Sequence, residues 1–390
     1  MPKIFNIIFL VTVICLVMTS CSNAGKTGDF TLVLSGSMHG QLDPCGWKKN
    51  PMGGLSRRYV KVQELKSQGK NPIILDAGDL FFSTTNLNND NLKSEEFRSN
   101  AIIEGYNKIG CDAINVGKYE LLNGLAFLKD ISKKTDTPFL SANLKSSKTN
   151  ELLFEPYLIL NRGNLSIGII GVTSLLPDSS TSVVADDFIQ AGNTYIDKLS
   201  KTTDIIILLV NTDRGSQNNL AENFKDADFI VASGSTNLTR TNAPQNDNGP
   251  YVFSCGKQGK YLLTLDANIN DLRSPFVNIS AHQKKIADVN KRFERLQKKD
   301  PNAKLEDIYK DQGNVLKLIE QYRIDLKSSE KAISESKNTI MYKTIGLNKK
   351  IKDDPEMLAF VNQSLSTCKA LKPQVKNVNK SKADHSGHDH

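Results

Sequence analysis

The chain has 390 residues, of which 39% are hydrophobic and 24% charged, and its formal net charge is +8. This composition indicates a globular body of one large domain with an extension, or of two smaller domains. The positive excess lies mainly in the Lys-rich final third without interleaved aromatic residues, which disfavours nucleic-acid binding and favours a solvated face or affinity for an anionic membrane surface.

The N-terminus has the layout of a secretory signal. Lys3 supplies a positive charge, residues 4–17 are almost wholly apolar, and Cys21 follows small residues. The apolar run is short for a membrane span, and the cysteine resembles a bacterial lipoprotein cleavage box. We therefore predict a signal peptide over 1–20 and a lipidated Cys21 that anchors the mature chain to the membrane.

The residue after this cysteine predicts where the mature chain resides. Ser22, and not Asp, follows Cys21, which resembles lipoproteins of the Gram-negative outer membrane. We expect a protein of the bacterial cell envelope that faces the periplasm, with residues 21–28 as a linker. A plain secreted protein is the alternative.

Two strand–loop segments open the predicted body. An apolar run, 30–34, enters a Gly- and Ser-rich turn whose loop carries His39, and a second strand, 73–75, runs directly into a segment that holds Asp76 and Asp79. Loops at the carboxyl ends of successive strands are where α/β folds present site residues. These two loops form a candidate site for metal and phosphate.

Apolar periodicity predicts alternating helices and strands up to residue 150 and a more strand-rich pattern beyond it. The predicted helices are 53–69, 95–109, 121–131, 187–201 and 217–224, and the predicted strands are 113–116, 138–144, 156–161, 165–172, 205–210, 229–232, 251–254 and 261–265. This rhythm indicates a layered α/β domain, which we place at residues 29–275.

The last third has a different pattern. Apolar residues at 3-4-3 spacing, followed by a heptad-like seam after Pro301, predict a coiled-coil-like helical hairpin at 281–336. A strand and a helix over 337–370 are expected to return to the α/β domain. The remaining segment, 371–390, is polar and is predicted to be a disordered tail. Its His385, His388 and His390 either bind Ni, Cu or Zn weakly or belong to that tail without a metal.

Four cysteines remain after the predicted processing, namely Cys45, Cys111, Cys255 and Cys368. Their spacing fits no zinc pattern. In an oxidising compartment they either form bridges, whose pairing the sequence does not assign, or stay isolated structural thiols.

Several blocks resemble the 5′-nucleotidase and UDP-sugar hydrolase branch of the calcineurin-like metallophosphoesterases. SGSMHGQL resembles the family's N-D-x-H-G block, LDAGDLF its G-D block, and CDAINVGKYEL its Y-D-A-x-x-x-G-N-H-E block. PFLSANL, SIGIIGVTS and YVFSCGKQGKYLLTLD match framework stretches in the family's order, from Thr31 to Asp266. The resemblance implies a four-layer α/β/β/α sandwich, here with a C-terminal helical hairpin.

The resemblance also implies a two-metal centre, for which this chain lacks most ligands. Such a centre needs roughly six to eight N and O donors around two ions about 3.5–4 Å apart. The replaced positions are Ser37 for the first-block Asp, Lys118-Tyr119 for an Asn-His pair, and Gly234 and Thr236 for two His of the last block. We therefore expect no cofactor, with a divalent Mn, Zn or Mg ion as the alternative.

The ligands that remain are few. His39 and Asp79 stand at family ligand positions, and Asp213, at a His position, suits a hard cation. We interpret these three as a vestigial metal set. His39 and Asp79 also have ordinary explanations, since His39 can be a satisfied loop histidine and Asp79 a turn cap.

The charge of the missing metals suggests a role for two basic residues. An ammonium has no lone pair and cannot ligate, but it can stand beside a buried carboxylate that has lost its cation. We predict that Lys118, together with Arg214, replaces the positive charge of the metals beside Asp79 and Asp213. Glu120, retained from the third block, is a catalytic candidate. Ordinary solvent-exposed drift is the alternative for Lys118.

The loop of Cys45 resembles a subgroup with P-C-G-C and G-G-L-x-R-R motifs, in which the second cysteine can be selenocysteine. Here Trp47, the only Trp of the chain, stands at that position. A UGA codon translated as Trp would make Cys45 part of a redox pair. An ordinary Trp packed over the loop is the alternative.

The predicted function is that of a lipid-anchored, 5′-nucleotidase-like protein with a degenerate metal centre, a pseudoenzyme or binding module. Its expected partners are the membrane, through Cys21, and either a phosphate-containing small molecule or an envelope protein held by the hairpin; nucleic acid is not among them. The alternatives are an active, metal-dependent phosphoric ester hydrolase with a modified site and a thiol or selenol redox protein that uses Cys45.

Overall fold

The structure is a computed structural model that describes residues 26–46, 49–241, 243, 245 and 249–373. The predicted signal peptide with Cys21, Trp47 and the three C-terminal histidines lie outside these residues. Within the described ranges, no helix is long and apolar enough to cross a membrane.

The chain divides into two compact units. Among the described residues, the main unit consists of Phe30–Leu160, Ile167–Leu265 and 342–373. The hairpin unit consists of Asn161–Ser166, Asp266–Met341 and residues 26–29. It therefore contains the region predicted as a helical hairpin.

The secondary structure alternates between strands and helices along most of the chain. The strands are β1 (Gly28–Ser35), β2 (Ile73–Asp76), β3 (Ala113–Asn115), β4 (Phe139–Leu140), β5 (Leu144–Ser146), β6 (Tyr157–Arg162), β7 (Leu165–Thr173), β8 (Val183–Ala185), β9 (Ile205–Asn211), β10 (Phe229–Ser233), β11 (Tyr251–Ser254), β12 (Tyr261–Ile269), β13 (Phe276–Asn278) and β14 (Asn338–Gly346). The helices are α1 (Leu55–Ser67), α2 (Leu92–Ile109), α3 (Gly124–Ser132), α4 (Phe188–Leu199), α5 (Leu220–Asn223), α6 (Ser280–Gln297), α7 (Leu305–Ile308), α8 (Gly313–Ser334) and α9 (Pro355–Ala370).

The first sheet of the main unit has the strand order β14-β12-β1-β2-β3-β4, in which β1 to β4 are parallel. Ser35 is in register with Asp76, and Asp76 with Ile114, so the carboxyl ends of three strands lie side by side. The strands are Ile-, Leu- and Val-rich and almost wholly buried, as expected of parallel strands covered on both faces. Their following loops meet at one edge of the sheet.

The second sheet has the order β11-β10-β9-β7-β6, and β7, β9, β10 and β11 are parallel. The Phe30 and Phe229 rings, 6.1 Å apart, join the two sheets. Helices α1, α2 and α9 add apolar residues to the core of the first sheet, and α4 does so for the second. The predicted four-layer sandwich is confirmed.

Several predicted elements end differently in the structure. The predicted helix 217–224 is a 3₁₀ turn, Ser216–Asn219, followed by the short α5. The predicted strand 138–144 is divided into β4 and β5, because the Leu144 N–H donates to the Ser141 hydroxyl and closes a turn between them. A local hydrogen bond of a polar side chain thus interrupts the second of these segments.

The hairpin unit is built on two long helices, α6 and α8. The Phe293 and Tyr322 rings are 5.9 Å apart, and Lys285 pairs with Asp325 at 3.0 Å. From the Lys285–Asp325 contact to the Phe293–Tyr322 contact, the residue number rises along α6 and falls along α8. The two helices are therefore antiparallel. β13 pairs in parallel with the first residues of β14 in the same unit. A regular coiled-coil seam stays a prediction.

Candidate functional site

The candidate site is built on two loops that hold each other through backbone hydrogen bonds. The N–H groups of Ser37, His39 and Gly40 donate to the carbonyls of Gly78, Asp79 and Leu80 at 2.8, 2.9 and 2.9 Å. These bonds continue the pairing of β1 and β2 beyond the strand ends. The two predicted ligand loops therefore form one frame.

The frame keeps four non-glycine residues in the left-handed backbone region. Their φ angles are 50° for Ser37, His39 and Phe82 and 60° for Asp79. Each such residue costs roughly 1–2 kcal/mol, which persists only where surrounding contacts over-determine the conformation. The bonds between the loops provide that constraint, so the backbone positions of His39 and Asp79 are fixed.

His39 and Asp79 lie close together, and Tyr119 lies beside both. The His39 Nε2 atom is 4.0 Å from Asp79 Oδ2. The Tyr119 N–H donates to Asp79 Oδ1 at 3.0 Å, and its ring stacks on the imidazole with centroids 4.4 Å apart and 23° between the planes. The residue that replaces a family histidine therefore contacts both remaining ligand side chains.

Burial determines the protonation of this pair. Asp79 is only 2% exposed, and burial raises its pKa to about 6 against the opposing effects of the Tyr119 N–H and the Lys118 ammonium. Burial, with the nearby Lys257 ammonium, lowers the pKa of His39 to about 4. His39 is therefore neutral near pH 7, and its contact with Asp79 is not an ion pair.

Glu120, the predicted catalytic residue, is wholly buried and anchors the loop after β2. Its carboxylate oxygens accept hydrogen bonds from the N–H groups of Asp79, Leu80 and Gly117 at 2.9, 2.6 and 2.8 Å. Burial, followed by the Asp79 carboxylate, raises the pKa of Glu120 to about 8. These contacts are those of a structural anchor, and a catalytic role for Glu120 stays a prediction.

The two predicted charge substitutes lie in different surroundings. The Lys118 N–H donates to Asn211 Oδ1 at 3.1 Å, and the Lys118 ammonium lowers the pKa of Asp79. Arg214 is exposed. The electrostatic influence on Asp79 is therefore attributable to Lys118.

Asp213 is exposed and closes its own turn. Its Oδ1 accepts hydrogen bonds from the N–H groups of Gly215 and Ser216 at 2.8 and 3.1 Å, and its Oδ2 accepts one from the Ser216 hydroxyl at 2.7 Å. The Ser216 hydroxyl and N–H lower the pKa of Asp213. Both oxygens serve the following 3₁₀ turn.

Two further family ligand positions have lost the space or the burial for a ligand. Gly234 has φ of 87°, and a Cβ at this position would lie 2.5 Å from the Thr212 carbonyl oxygen. A histidine therefore does not fit this backbone. The Gly234 N–H donates instead to the Ser37 hydroxyl at 3.1 Å. Thr236 is exposed.

The sequence interpretation missed a set of buried polar residues at strand ends. Asp76 Oδ2 accepts hydrogen bonds from the Ser35 and Tyr106 hydroxyls, both at 2.7 Å, and Asn211 Nδ2 donates to the Ser233 hydroxyl at 2.7 Å. Ser35, Asp76, Asn211 and Ser233 each end an apolar strand. A polar residue in that position needs a partner when it is buried, which was the available signal.

Cys45 lies in a narrow loop outside the main frame. Its backbone pairs with that of Met52 in an antiparallel bridge, and its Sγ is 3.8 Å from Gln258 Oε1. Burial raises the pKa of Cys45, although the nearby Lys260 ammonium opposes this. Cys45, Cys111, Cys255 and Cys368 are all free thiols.

The described residues do not fit a dinuclear metal centre. No three of their His, Cys, Asp and Glu side chains gather in one place as a metal site. His39 and Asp79 supply two donors, whereas two metals about 3.5–4 Å apart require roughly six to eight. Asp213 serves its own turn, and Lys118 has no lone pair to offer when protonated.

Curated proteins with a similar sequence are named 5′-nucleotidases. The bovine enzyme is 28% identical over 246 residues, covering 58% of this chain and 41% of its own length. A snake venom 5′-nucleotidase from Gloydius brevicauda is 28% identical, with 61% and 46% covered. The chain thus spans less than half the length of these relatives. No protein-family model matches it.

Solved structures share the fold. The 5′-nucleotidase precursor of Thermus thermophilus has a TM-score of 0.62 at 17% identity, covering 89% of this chain and 60% of that one. The calcineurin-like phosphoesterase YfkN of Bacillus subtilis has a TM-score of 0.59 at 17% identity, covering 89% and 100%. At these identities the likeness concerns the fold alone.

Proposed function

We propose that this chain, which belongs to the 5′-nucleotidase-like metallophosphoesterase superfamily, functions without a dinuclear metal centre, as a binding or assembly module of the cell envelope. The observation that carries this proposal is the position of Tyr119. Its ring stacks on His39 and its N–H occupies an oxygen of Asp79, so the two remaining ligand residues are engaged by the segment that replaces a ligand pair.

A dinuclear metal centre requires more donor atoms than His39 and Asp79 supply. In this superfamily, the metals polarise the phosphate and generate the nucleophilic hydroxide, which requires both ions to be held in place. Here the second-sheet loops offer Asp213, which is exposed, and Gly234, which has no side chain. The proposed function therefore includes no hydrolytic step at a metal.

Metal analysis tests the proposal directly. We expect elemental analysis of the purified chain to find well under one tightly bound transition metal per molecule, and no metal-dependent hydrolysis of a generic phosphodiester. Two tightly bound metals per chain, with turnover that the His39→Ala substitution abolishes, would overturn the proposal. His282→Ala, a histidine change in the hairpin unit, is the matched control for nonspecific effects of losing a histidine.

The second candidate function is phosphoester hydrolysis with a modified site. It is favoured by the His39–Asp79 contact of 4.0 Å and by the constrained frame that holds it. A single ion with two protein donors would have to take its remaining ligands from solvent and substrate. Hydrolysis that requires added Mn, Zn or Mg and is lost in His39→Ala would select this candidate.

The thiol alternative has weaker support. Nucleophilic thiol chemistry uses the thiolate, and burial raises the pKa of Cys45 rather than lowering it. We expect the alkylation rate of Cys45, measured against pH, to report a thiol pKa above the usual range. A thiolate already formed at neutral pH would revive this alternative, and a UGG codon for Trp47 would remove its selenocysteine form.

The proposed location is the periplasmic side of the bacterial envelope, through a lipid on Cys21. The support is the sequence before residue 22, with its short apolar run and terminal cysteine. Mass spectrometry of the N-terminal peptide is expected to find acyl chains on Cys21. A Cys21→Ser chain is expected to leave the membrane fraction, and its retention there would contradict the attachment.

A further inference from the structure

Helix α6 carries a row of basic residues along one face, called here the basic stripe. Its members are Lys284, Lys291 and Arg295 of α6 and Lys298, which follows the last residue of α6 with helical backbone angles; all four are exposed. At about 100° per residue, their spacing places them within roughly 60° of one another around the helix. From Lys284 to Lys298, the stripe is about 21 Å long.

The basic stripe lies opposite the face of α6 that packs on α8. On the packing face, the Phe293 ring meets the Tyr322 ring edge to face. Cations at the flanks of α6 are used within the unit, since Lys285 pairs with Asp325 at 3.0 Å and the Arg292 guanidinium lies 5.0 Å from the centre of the Tyr322 ring. The outward cations are therefore not needed to hold the hairpin together.

The charge of the basic stripe is largely unbalanced. Asp288 lies within this face and pairs with Lys284 at 2.9 Å, and a second acid, the exposed Glu294, lies at the edge of the stripe beside Lys291 and Lys298. Hydrogen bonding to Lys284, with the field of Lys291 and Arg292, lowers the pKa of Asp288. In the described part of the chain, Lys291, Arg295 and Lys298 take part in no ion pair within 4.0 Å. Three neighbouring cations of the described helix thus face outward without an ion-pair partner.

We propose that the basic stripe docks this protein on a bilayer that contains anionic phospholipids. A row of fixed cations on a straight helix face matches a planar array of phosphate headgroups, and each cation near such a surface strengthens binding severalfold. The stripe itself contains no aromatic or large apolar residue. The contact is therefore electrostatic, with α6 lying on the headgroups. Single-stranded nucleic acid would gain from stacking on aromatic rings, which the stripe does not offer.

The choice of a membrane rests on the lipid attachment proposed at Cys21. Six residues lie between Cys21 and Gly28, the first residue of β1, and the seven Cα-to-Cα steps reach at most about 25 Å when extended. The hairpin unit includes residues 26–29. A lipid on Cys21 would thus hold this unit near the bilayer, where tethering raises the effective concentration of the stripe at the surface.

Vesicle sedimentation of the unlipidated chain from Ser22 onward tests the stripe independently of the lipid. We expect binding to phosphatidylglycerol-containing vesicles at low salt, little binding to pure phosphatidylcholine, and loss of binding near 0.5 M salt, where the Debye length is only about 4–5 Å. Replacing Lys291, Arg295 and Lys298 together by Gln is expected to lower the partition coefficient by about a hundredfold, from roughly fivefold for each cation.

The matched control replaces Lys129, Lys148 and Lys225, three exposed lysines of the main unit, by Gln. It changes the net charge equally and is expected to bind within about threefold of the unmodified chain, since only nearby cations contribute. Equal losses in both triple variants, or equal binding to both vesicle types, would overturn the proposal. The proposal would also be overturned if the stripe variant still bound vesicles but no longer bound duplex DNA. Unchanged circular dichroism and Tm of both variants confirm that they fold.

Lipidation is measured separately, by the mass of the N-terminal peptide. An unmodified Cys21 with intact vesicle binding would remove the tether and leave the stripe standing. A lipidated Cys21 with no charge-dependent vesicle binding would overturn the stripe and leave the attachment standing. The two proposals therefore fail in different assays.

Discussion

The loops after β1, β2 and β3 differ from the loops after β9 and β10 in what holds them. In the first group, the Glu120 carboxylate accepts hydrogen bonds from the N–H groups of Asp79 and Leu80, forty residues earlier in the chain. In the second group, the Asp213 carboxylate bonds only to residues two and three positions later. The Glu120 carboxylate thus joins distant segments, whereas the Asp213 carboxylate closes its own turn, and the loop after β10 contacts the first group through the Gly234 N–H on the Ser37 hydroxyl.

This difference explains why only half of the predicted site is assembled. In a loop held by bonds to another loop, protein contacts constrain the backbone, as in the left-handed Ser37, His39 and Asp79. A loop whose carboxylate satisfies its own turn has no need of a partner across the site. The retained half therefore consists of residues that support one another, whereas Asp213 and Thr236 of the other half face solvent.

Removing the Glu120 side chain is expected to have the largest effect on the first group of loops. Glu120→Ala leaves the buried N–H groups of Asp79, Leu80 and Gly117 without acceptors, so we expect the free energy of unfolding to fall by about 4 kcal/mol or more. Asp213→Ala removes an exposed turn contact and is expected to cost less than about 1 kcal/mol. Urea unfolding followed by circular dichroism measures both, and equal losses would contradict the contrast between the two groups.

A pH series tests whether His39 is buried as a neutral imidazole. The pKa of His39 is about 4 in the folded chain and 6.5 as its ordinary value, so the unfolded state binds this proton more tightly. Its contribution therefore lowers stability as pH falls from 6.5 to 4, by up to about 3 kcal/mol. Asp79, raised to about 6, acts in the opposite direction over much of this range.

Because the two residues oppose each other, the test compares the unmodified chain with His39→Gln at each pH. The free energy of unfolding of the unmodified chain minus that of the variant should decline as pH falls from 6.5 to 4. It should stay constant above pH 6.5. Chemical denaturation at several pH values measures it. A flat difference would show that His39 is not buried as a neutral imidazole.

The smallest expected effect separates the two predicted charge substitutes. Lys118→Gln should raise the pKa of Asp79 and lower the free energy of unfolding at neutral pH by about 1 kcal/mol, whereas Arg214→Gln should change it by less than about 0.5 kcal/mol. Double-mutant cycles with Asp79→Asn report the coupling of each cation to the carboxylate. Coupling of Arg214 that equals that of Lys118 would contradict the placement of Arg214 at the surface.

Much of the fold was predictable from the sequence because its signals are local and repeated. Apolar runs of strand length, separated by helical periodicity, indicate a layered α/β domain, and the ordered motif blocks identify the sandwich. The positions of His39 and Asp79 followed from the same blocks. The absence of ligands at Ser37, Lys118 and Tyr119 was also readable, since a residue's chemistry is a property of the sequence itself.

The tertiary structure decided what the retained residues do. Glu120 is an anchor by its contacts because the N–H groups it binds come from a loop forty residues away, and no spacing rule reveals such a partner. Asp213 is exposed and both of its oxygens bond to its own turn, while the equally acidic Asp79 is buried and accepts a hydrogen bond from the Tyr119 N–H. Hydrogen bonds between distant segments depend on packing, so the sequence could name the candidates but not assign them to one site.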